Sequence, residues 1–377
     1  MKKVGIMSMQ RIYNYGSFLQ SYALKRLIEL SNENVDVIFV DYEPGEPLIK
    51  DDDNDDNRLK RNFNKFKQYN SVNTSIKNKI GFFKHKKNYA KRFFPLLGIE
   101  KNRVPAFDID ILVIGSDEVF NCVQSNTNVG FSTDLFGQNT DAQKIISYAA
   151  SFGNTTLSKI IKYNIQKDLA QYFQSFSSLS LRDENSYNIA KSLGVKNPVV
   201  NIDPVLAYDY MNLEKKIPKE RLHNRNYMIV YGYSGRLNKY ENSLIREFSN
   251  NEQLEVICIG GVQDCCDKFI DCDPFELLAY FRDAEYIVTD TFHGTIFSII
   301  NKKKFTTLIR RSVGTSYGNE EKLSYLLKTF GLGSRGVQEI NENILREQFL
   351  KPIDYKNVNN ILEIKRKETL IYLKDSI

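Results

Sequence analysis

The stretch Tyr286-Ile-Val-Thr-Asp-Thr-Phe-His-Gly-Thr-Ile-Phe297 carries the clearest signature of the fold. A short apolar run, 286–289, is followed by a polar turn, and an apolar helical segment begins directly afterwards. A buried strand that runs straight into a helix is typical of a parallel sheet connected by helices. In such a sheet His293 stands at the carboxyl end of the strand, beside the free backbone N–H groups of a helix N-terminus, a place that suits an anion.

The same alternation of strand and helix extends in both directions along the chain. We predict strands at residues 2–9, 35–40, 109–114, 144–149, 178–182, 199–202, 227–231, 255–259, 286–289 and 305–309. Helices are predicted at 17–31, 183–193, 237–250, 274–282, 295–301, 319–330 and 358–373. The pattern predicts an α/β protein of two Rossmann-like domains in a GT-B-like arrangement with a C-terminal helix, in which ligands bind at the carboxyl ends of the strands between the domains.

Composition shifts divide the chain into three predicted parts. The Asp203-Pro204 pair and the polar stretch 212–226 end an N-terminal domain, 1–208, which contains a basic insertion at about 51–105. A second domain is predicted at 209–336, and a tail with the last helix at 337–377. A chain of 377 residues is long enough for two such domains, each with its own core.

The charge is concentrated in the insertion. The net charge is +6, and 58–103 alone contains fourteen Lys or Arg and one Glu, preceded by the acidic run 51–57. The rest of the chain is mildly acidic, which argues against nucleic acid as a partner. The five Cys lack the spacing of a disulfide framework or a zinc site, and no apolar run is long enough for a signal peptide or a membrane helix. We therefore expect a cytoplasmic protein.

Six phenylalanines are interspersed among the basic residues of the insertion, which leaves two interpretations open. The segment rests on an anionic membrane surface, making the protein peripheral at the inner face of the cell membrane, or it is a solvated helix whose aromatic residues pack onto the domain. The six are Phe63, Phe66, Phe82, Phe83, Phe93 and Phe94.

Seven short motifs occur in one order along the chain, and together they resemble the polysaccharide pyruvyl transferase family from residue 4 to about 336. Two departures from the family pattern are Glu118 and Phe120, where members have Gln and Trp. The motifs are Asn14-Tyr-Gly-Ser-Phe-Leu-Gln20, Ile114-Gly-Ser-Asp-Glu-Val-Phe-Asn121, Ser147-Tyr-Ala-Ala-Ser-Phe-Gly153, Leu181-Arg-Asp-Glu184, Asp203-Pro204, Thr289-Asp-Thr-Phe-His-Gly-Thr295 and Leu326-Leu-Lys-Thr-Phe-Gly-Leu332.

The resemblance implies a reaction. Members of the family move the pyruvyl group of phosphoenolpyruvate onto two hydroxyls of a sugar and so form a cyclic ketal, with the acceptor on the N-terminal domain and the donor on the second. The expected role is in capsule or exopolysaccharide assembly, with a free or lipid-linked saccharide as acceptor. Such chemistry needs a general acid, a base and cations for the donor. We expect no metal and no cofactor, with phosphoenolpyruvate as donor substrate.

The predicted site residues fall into three groups. Catalytic roles are expected for His293 as acid and Asp117 as base or acceptor-orienting carboxylate. Donor-binding residues are Arg182, which matches a family arginine, with Thr291, Gly294, Thr295, Arg310 and Arg311; acceptor-binding residues are Asn14, Gly16, Gln20 and Ser116. A helix N-terminus alone stabilises an anion by only about 0.3–1 kcal/mol, so arginines must take part.

Each assignment has a structural alternative. Thr291 also fits a helix cap, with His293 a hydrogen-bonded turn residue, and some members have Arg at the Thr291 position. Asp117 fits an N-cap, and Arg182 fits an ion pair with a neighbouring acid. Gln20 fits an ordinary first-turn helix residue, and Arg310 and Arg311 fit a solvated strand end.

Two other functions stay open at this point. A GT-B glycosyltransferase with a nucleotide-sugar donor is disfavoured because such enzymes hold the ribose with an acidic residue near the donor phosphates, and no Asp or Glu follows His293 before Glu320. A non-catalytic, glycan-binding member of the family is kept open by Thr291.

Overall fold

The computed structural model describes residues 1–49, 71–124, 126–311 and 320–377, and it confirms the predicted α/β architecture with two parallel sheets. Every pairing between described strands is parallel. The strands at the centres of both sheets are buried because helices cover both faces, which explains why they are nearly continuous apolar runs. The acidic run 51–57, with Phe63 and Phe66, lies outside the described residues.

The first sheet is built from residues 2–200. Its strand order is β2-β1-β3-β4-β6-β7, with β5 paired to β4, so the order reverses between β1 and β3. The predicted strand 178–182 is divided into two short strands, β5 and β6. The strands are β1 (Lys2–Met7), β2 (Val35–Phe39), β3 (Ile111–Asp117), β4 (Lys144–Ala150), β5 (Phe176–Ser178), β6 (Ser180–Leu181) and β7 (Val199–Val200).

The second sheet is built from residues 227–337. Its order is β10-β9-β8-β11-β12-β13, so the order reverses between β8 and β11. Three of its strands begin and end where the sequence predicts. The strands are β8 (Tyr227–Tyr231), β9 (Glu255–Ile259), β10 (Lys268–Phe269), β11 (Tyr286–Thr289), β12 (Phe305–Leu308) and β13 (Gly336–Val337).

Helices connect the strands and pack on both faces of the sheets. Short 3₁₀ turns lie at Thr133–Phe136, Phe173–Ser175 and Gly333–Arg335. The α-helices are α1 (Tyr15–Ser31), α2 (Ile76–Leu97), α3 (Leu157–Lys162), α4 (Gln166–Tyr172), α5 (Glu184–Ser192), α6 (Pro204–Ala207), α7 (Tyr210–Leu213), α8 (Lys239–Asn251), α9 (Pro274–Asp283), α10 (Phe292–Ile300), α11 (Glu320–Thr329), α12 (Glu342–Leu350) and α13 (Tyr355–Ser376).

Two helices join the domains. Helix α2, which the sequence suggests only as one of two interpretations of the basic insertion, buries an aromatic stripe with Phe82, Tyr89 and Phe93. It contacts α1 of the first sheet's domain and β10 of the second. The C-terminal helix α13 returns to the first domain and packs on α1 and α6. The domain limits at 208 and 336 stay a prediction.

No helix in the described part of the chain has the length and apolar character needed to cross a membrane.

Candidate functional site

The reversal of strand order in each sheet locates the candidate site. At such a reversal the loops that leave neighbouring strands diverge, and a crevice opens at the carboxyl ends of the strands. In the first sheet these loops follow β1 and β3, and in the second they follow β8 and β11. All four loops line one cavity of about 530 Å³ between the domains.

His293 lies at the start of α10 in this cavity, with 13% of its side chain exposed. Thr291 is the N-cap of the helix, and its hydroxyl accepts a hydrogen bond from the Gly294 amide at 3.0 Å. The imidazole Nε2 lies 3.5 Å from Oδ2 of Asp203, across the domain boundary. This approach is an ion-pair contact, because the buried Nε2 has no hydrogen-bond partner among the described residues, and Nδ1 makes no hydrogen bond to them either.

Gly16, in the first turn of α1, leaves the space that the imidazole occupies. A Cβ atom at residue 16 would stand 2.2 Å from Nδ1 of His293, far inside the contact distance of two heavy atoms. Any side chain larger than hydrogen would therefore move the imidazole or the helix. Asn14, the N-cap of α1, accepts a hydrogen bond from the Ser17 amide and also lines the cavity.

Asp203 is the buried carboxylate that faces the imidazole. It precedes α6, accepts a hydrogen bond from Arg182 Nη1 at 3.1 Å, and accepts another from the Val205 amide at 2.9 Å. Burial acts to raise the pKa of Asp203, but His293, Arg182 and the Val205 amide outweigh burial, so its pKa lies below the ordinary value. The carboxylate is therefore ionised at neutral pH and is an electrostatic partner for an imidazolium.

Arg182 connects the two acidic residues of the first domain. Its Nη1 donates to Asp203 and, at 3.3 Å, to Asp117, and its guanidinium lies 4.4 Å from the centre of the Phe292 ring. Burial acts to lower the pKa of Arg182, but the surrounding carboxylates, led by Asp117 and Asp203, outweigh it and the pKa is raised. Arg182 therefore forms ion pairs, as its structural alternative proposed, but its partners are Asp117 and Asp203 and not its neighbours in the sequence. Arg182 nevertheless lines the cavity.

Asp117 ends β3 and also lines the cavity, where it accepts a hydrogen bond from the Ser17 hydroxyl at 3.3 Å. Its predicted neighbours in the acceptor group lie deeper. Gln20 and Ser116 are fully buried and hydrogen-bonded to each other, and Gln20 also donates to Ser8 at 2.8 Å. These two residues hold the loop after β3 against α1 and do not line the cavity.

The remaining predicted donor residues lie outside the cavity. Arg310 donates two hydrogen bonds, 2.7 and 3.0 Å long, to Glu241 at the start of α8. Arg311 is 64% exposed and lies 3.5 Å from Glu320. The buried hydroxyl of Thr295 contacts Thr307 at 2.9 Å. A Cβ atom at Gly294 would meet Thr289 and Tyr231, so this glycine serves packing of the turn.

Three cations that line the cavity, Arg236, Lys322 and Lys86, were not predicted from the sequence. Arg236 follows β8, donates to Asp290 at 3.2 Å and keeps 35% of its side chain exposed. Lys322 of α11 donates to Glu118 at 2.9 Å and so links the two domains. The loop Tyr231-Gly-Tyr-Ser-Gly-Arg236 leaves a buried strand just as the His293 loop does. Residues that directly follow a buried parallel strand lie at the ligand-binding edge of the sheet, and this signal indicates Arg236 after β8 as it indicates His293 after β11.

Asp290, the partner of Arg236, differs from Asp203. It is buried, and burial raises its pKa above the ordinary value even though Arg236 and Arg310 act to lower it. Asp203, by contrast, has the His293 imidazole among the groups that lower its pKa. The second domain therefore holds a carboxylate that accepts a proton more readily than Asp203 does.

The insertion helix α2 also contributes to the cavity through His85 and Lys86. The His85 ring is buried and its Nδ1 lies 2.8 Å from Asp271, which also accepts from Arg92 at 2.6 Å. These contacts fasten α2 to the second domain. Phe82, Phe93 and Phe94 are buried against the protein, whereas Phe83 is half-buried, so these aromatic residues fit the packing interpretation of the insertion. Membrane contact stays a prediction.

Across residues 1–49, 71–124, 126–311 and 320–377, no group of three His, Cys, Asp or Glu side chains is arranged to hold a metal ion. The pair Asp108 and Asp110 contacts Lys3 before β3 begins. Asp273 and Glu276 form a capping box at the start of α9.

The sequence pattern of one family extends over most of the chain. The family described as polysaccharide pyruvyl transferase matches residues 14–312, a span that includes every candidate site residue from Asn14 to Arg311. No protein of curated function matches the chain significantly.

Solved structures share the fold at low sequence identity. UDP-GlcNAc 2-epimerase from Neisseria meningitidis, bound to UDP-GlcNAc, superposes with a TM-score of 0.50 at 11% identity, over 99% of this chain and 100% of that chain. UDP-GlcNAc 2-epimerase from Methanocaldococcus jannaschii gives 0.48 at 13% identity, over 97% and 99%. The Neisseria structure supports the GT-B-like arrangement of the two domains and, at this identity, nothing about activity.

Proposed function

The chain belongs to the polysaccharide pyruvyl transferase family, and from this premise we propose that it transfers the pyruvyl group of phosphoenolpyruvate to two hydroxyls of a glycan sugar, forming a cyclic ketal. The observation that carries the proposal is the position of His293, whose imidazole lies in the interdomain cavity with Arg182, Arg236 and Lys322. A titratable group beside three cations fits a donor that must be both bound as an anion and protonated.

The donor requires strong anion binding. Phosphoenolpyruvate carries a carboxylate and a phosphate on three carbons, and the N-terminus of α10 alone stabilises an anion by only about 0.3–1 kcal/mol. Arg236 and Lys322 each pair with one carboxylate, and Arg236 remains partly exposed to the cavity. We assign the donor phosphate and carboxylate to these two cations together with Arg182.

His293 acts as the general acid in this proposal. Its Nδ1–H gives a proton to the methylene carbon of phosphoenolpyruvate, the C=C electron pair forms the new C–H bond, and the neighbouring carbon becomes an oxocarbenium-like centre. Asp203, ionised and 3.5 Å from Nε2, stabilises the imidazolium that gives the proton. Asp203 acts through His293 and is therefore a positioning residue.

Asp117 orients the acceptor from the first domain. One sugar hydroxyl attacks the cationic carbon while Asp117 accepts its proton. The C–O bond to phosphate then breaks with its electron pair on the phosphate, and a second hydroxyl closes the ring. The two sugar hydroxyls lose two protons in all. One of them restores the proton that His293 gave to the new methyl group, and the other leaves with inorganic phosphate.

Phosphate release from phosphoenolpyruvate, measured with a panel of free and lipid-linked saccharides, tests the reaction. The wild type should release phosphate only with a suitable acceptor, and His293→Ala should be slower by about 10²–10⁴-fold, the usual contribution of a positioned acid. His223→Ala is the matched control because His223 lies outside the cavity and bonds to Glu255. Equal turnover in the wild type and His293→Ala would contradict the assignment.

Calorimetry separates the proposal from the other two functions. Phosphoenolpyruvate should bind the wild type, and nucleotide sugars should not. Binding of nucleotide sugars alone would indicate a glycosyltransferase, and binding of neither donor would indicate a non-catalytic member of the family.

A further inference from the structure

A second and larger cavity, of about 1800 Å³, opens beside the first on the outer side of the N-terminal domain. We call it the Tyr13 groove; it runs between the loops after β1 and β2 and helix α2 with the segment 98–103 that follows it. The two cavities adjoin, and the residues that line both are Ile12, Tyr13, Asn14, Lys86, Asn126 and Tyr233.

Two tyrosine rings stand where the cavities meet. Tyr13 is 46% exposed, and its ring stacks on Tyr89 with the centroids 5.5 Å apart and the planes within 13°. Tyr233 is 48% exposed, and the Arg236 guanidinium lies 4.9 Å from its ring centre. Exposed aromatic rings with fixed orientation offer an apolar face to the C–H groups of a pyranose while the hydroxyl stays hydrated. The side chains of Asn126 and Asn128 add amide groups to the lining of the groove.

The groove as a whole has an excess of positive charge. Five cationic and two acidic side chains line it, and one of the acids, Asp41, is already held by Arg11 at 2.8 Å. Lys91 on α2 and Lys101 after it are exposed, and neither has a carboxylate within ion-pair distance in the described part of the chain. These two ammonium groups are therefore available to an anion.

We propose that the Tyr13 groove binds the non-reacting part of the acceptor, an oligosaccharide that stacks on Tyr13 and Tyr233 and carries a phosphate or carboxylate group bound by Lys91 and Lys101. This inference rests on the proposed function, because it assumes that the sugar to be modified lies at His293. It adds the chemical class of the acceptor, which is anionic at a distance from the reacting sugar.

Calorimetry on the full chain tests the groove with disaccharides of gluco-, galacto- and mannopyranose, each as the neutral sugar, the 1-phosphate and the uronate. The charged forms should bind about tenfold more tightly than the neutral parent, and raised salt should reduce the difference. The phosphate and uronate arms distinguish the two sources of negative charge. In Lys91→Glu/Lys101→Glu the preference for charged forms should disappear.

Lys84→Glu/Lys87→Glu is the matched control, because both lysines are exposed on the same helix and neither lines the groove. It should keep the preference of the wild type. Tyr13→Ala should weaken every saccharide about tenfold, whereas Tyr240→Ala, which removes an exposed ring of α8, should weaken none.

The groove proposal is overturned if neutral and charged saccharides bind the wild type equally, if no saccharide of the panel binds, or if the Lys91/Lys101 variant keeps the preference. Binding of phosphoenolpyruvate to the wild type is measured separately. Charged saccharides without phosphoenolpyruvate binding would overturn the proposed function and leave the groove, and the reverse result would overturn the groove alone.

Discussion

The two sheet edges that face the cavity hold their charges in opposite ways. At the edge of the first sheet, Arg182 is 3% exposed and bonds to both Asp117 and Asp203. At the edge of the second, Arg236 is 35% exposed and, within the described part of the chain, donates a hydrogen bond only to Asp290. Both edges lie where the strand order of a sheet reverses. At the first edge the charged groups around Arg182 are largely buried, whereas at the second the Arg236 guanidinium is partly exposed to the cavity.

This difference suggests that Arg182 positions neighbouring side chains and that Arg236 is available to bind a ligand. Arg182 makes both of its carboxylate bonds through Nη1, and its Nε has no hydrogen-bond partner among the described residues. It is buried, so it cannot move without leaving Asp203 buried and without this cation. A partly exposed arginine has donors to spare for a ligand. In the proposed function, the first edge therefore positions His293 and Asp117, and the second edge supplies cations for the donor.

The largest expected effect is loss of the buried chain. Arg182→Met leaves the buried Asp203 and the half-buried Asp117 without this cation, and we expect a loss of about 3–5 kcal/mol in the free energy of unfolding, measured by urea denaturation. Arg225→Met is the control, because Arg225 is 80% exposed and lies 3.8 Å from Glu255; it should cost less than about 1 kcal/mol. Equal costs for the two variants would show that the first edge does not depend on Arg182.

Gly16→Ala tests the position of His293 with little change in charge. A methyl group at residue 16 overlaps Nδ1, and displacement of a catalytic group by about 1 Å can cost about 10²-fold in rate. We expect that loss in phosphate release, with binding of phosphoenolpyruvate largely retained. Gly333→Ala is the control, because a Cβ atom there meets nothing within 4 Å. Full activity in Gly16→Ala would mean that the imidazole contact with α1 is not needed.

The sequence predicts the sheets well because buried parallel strands are apolar runs between polar turns, as at 227–231 and 286–289. It also predicts that His293, Asp117 and Arg182 lie at the carboxyl ends of their strands. Helix α2 was recoverable, since Phe82, His85, Tyr89 and Phe93 recur at helical spacing within the basic segment. The abundance of lysine concealed that stripe.

The contact between Asp203 and His293 was not recoverable from the sequence. The two residues lie on different domains, and their distance depends on how the domains pack, which local pattern does not encode. The same holds for Arg310, where strand-end position suggested a donor role but the side chain finds Glu241 on the neighbouring helix. Its donor role, like that of Arg311, stays a prediction.

Measuring donor affinity tests two arginines against each other: Arg236, which only the structure indicates, and Arg311, which the sequence predicts. Arg236→Met should weaken phosphoenolpyruvate binding by about tenfold or more, because a hydrogen bond to a charged group contributes about 1.5–3 kcal/mol. Arg311→Met should leave the affinity unchanged, since Arg311 does not line the cavity. Calorimetric titration of both variants decides between them, and the opposite result would favour the assignment made from strand ends.

The two buried aspartates should give opposite pH dependence of stability. The pKa of Asp203 is lowered on folding, so its ionised form stabilises the protein above the unfolded pKa of about 4, and this contribution is lost as the pH falls through the folded pKa. The pKa of Asp290 is raised, so ionisation of Asp290 costs stability above the folded pKa, and the cost disappears as the pH falls below it.

Urea denaturation of Asp203→Asn and Asp290→Asn against the wild type measures both. The deficit of Asp203→Asn should be constant above about pH 4 and shrink only in stronger acid. The stability of Asp290→Asn relative to the wild type should instead rise from about pH 4 toward neutral, by at most about 1.4 kcal/mol for each unit of pKa shift. If both variants followed the same course with pH, the two sheet edges would not differ in how they compensate a buried charge.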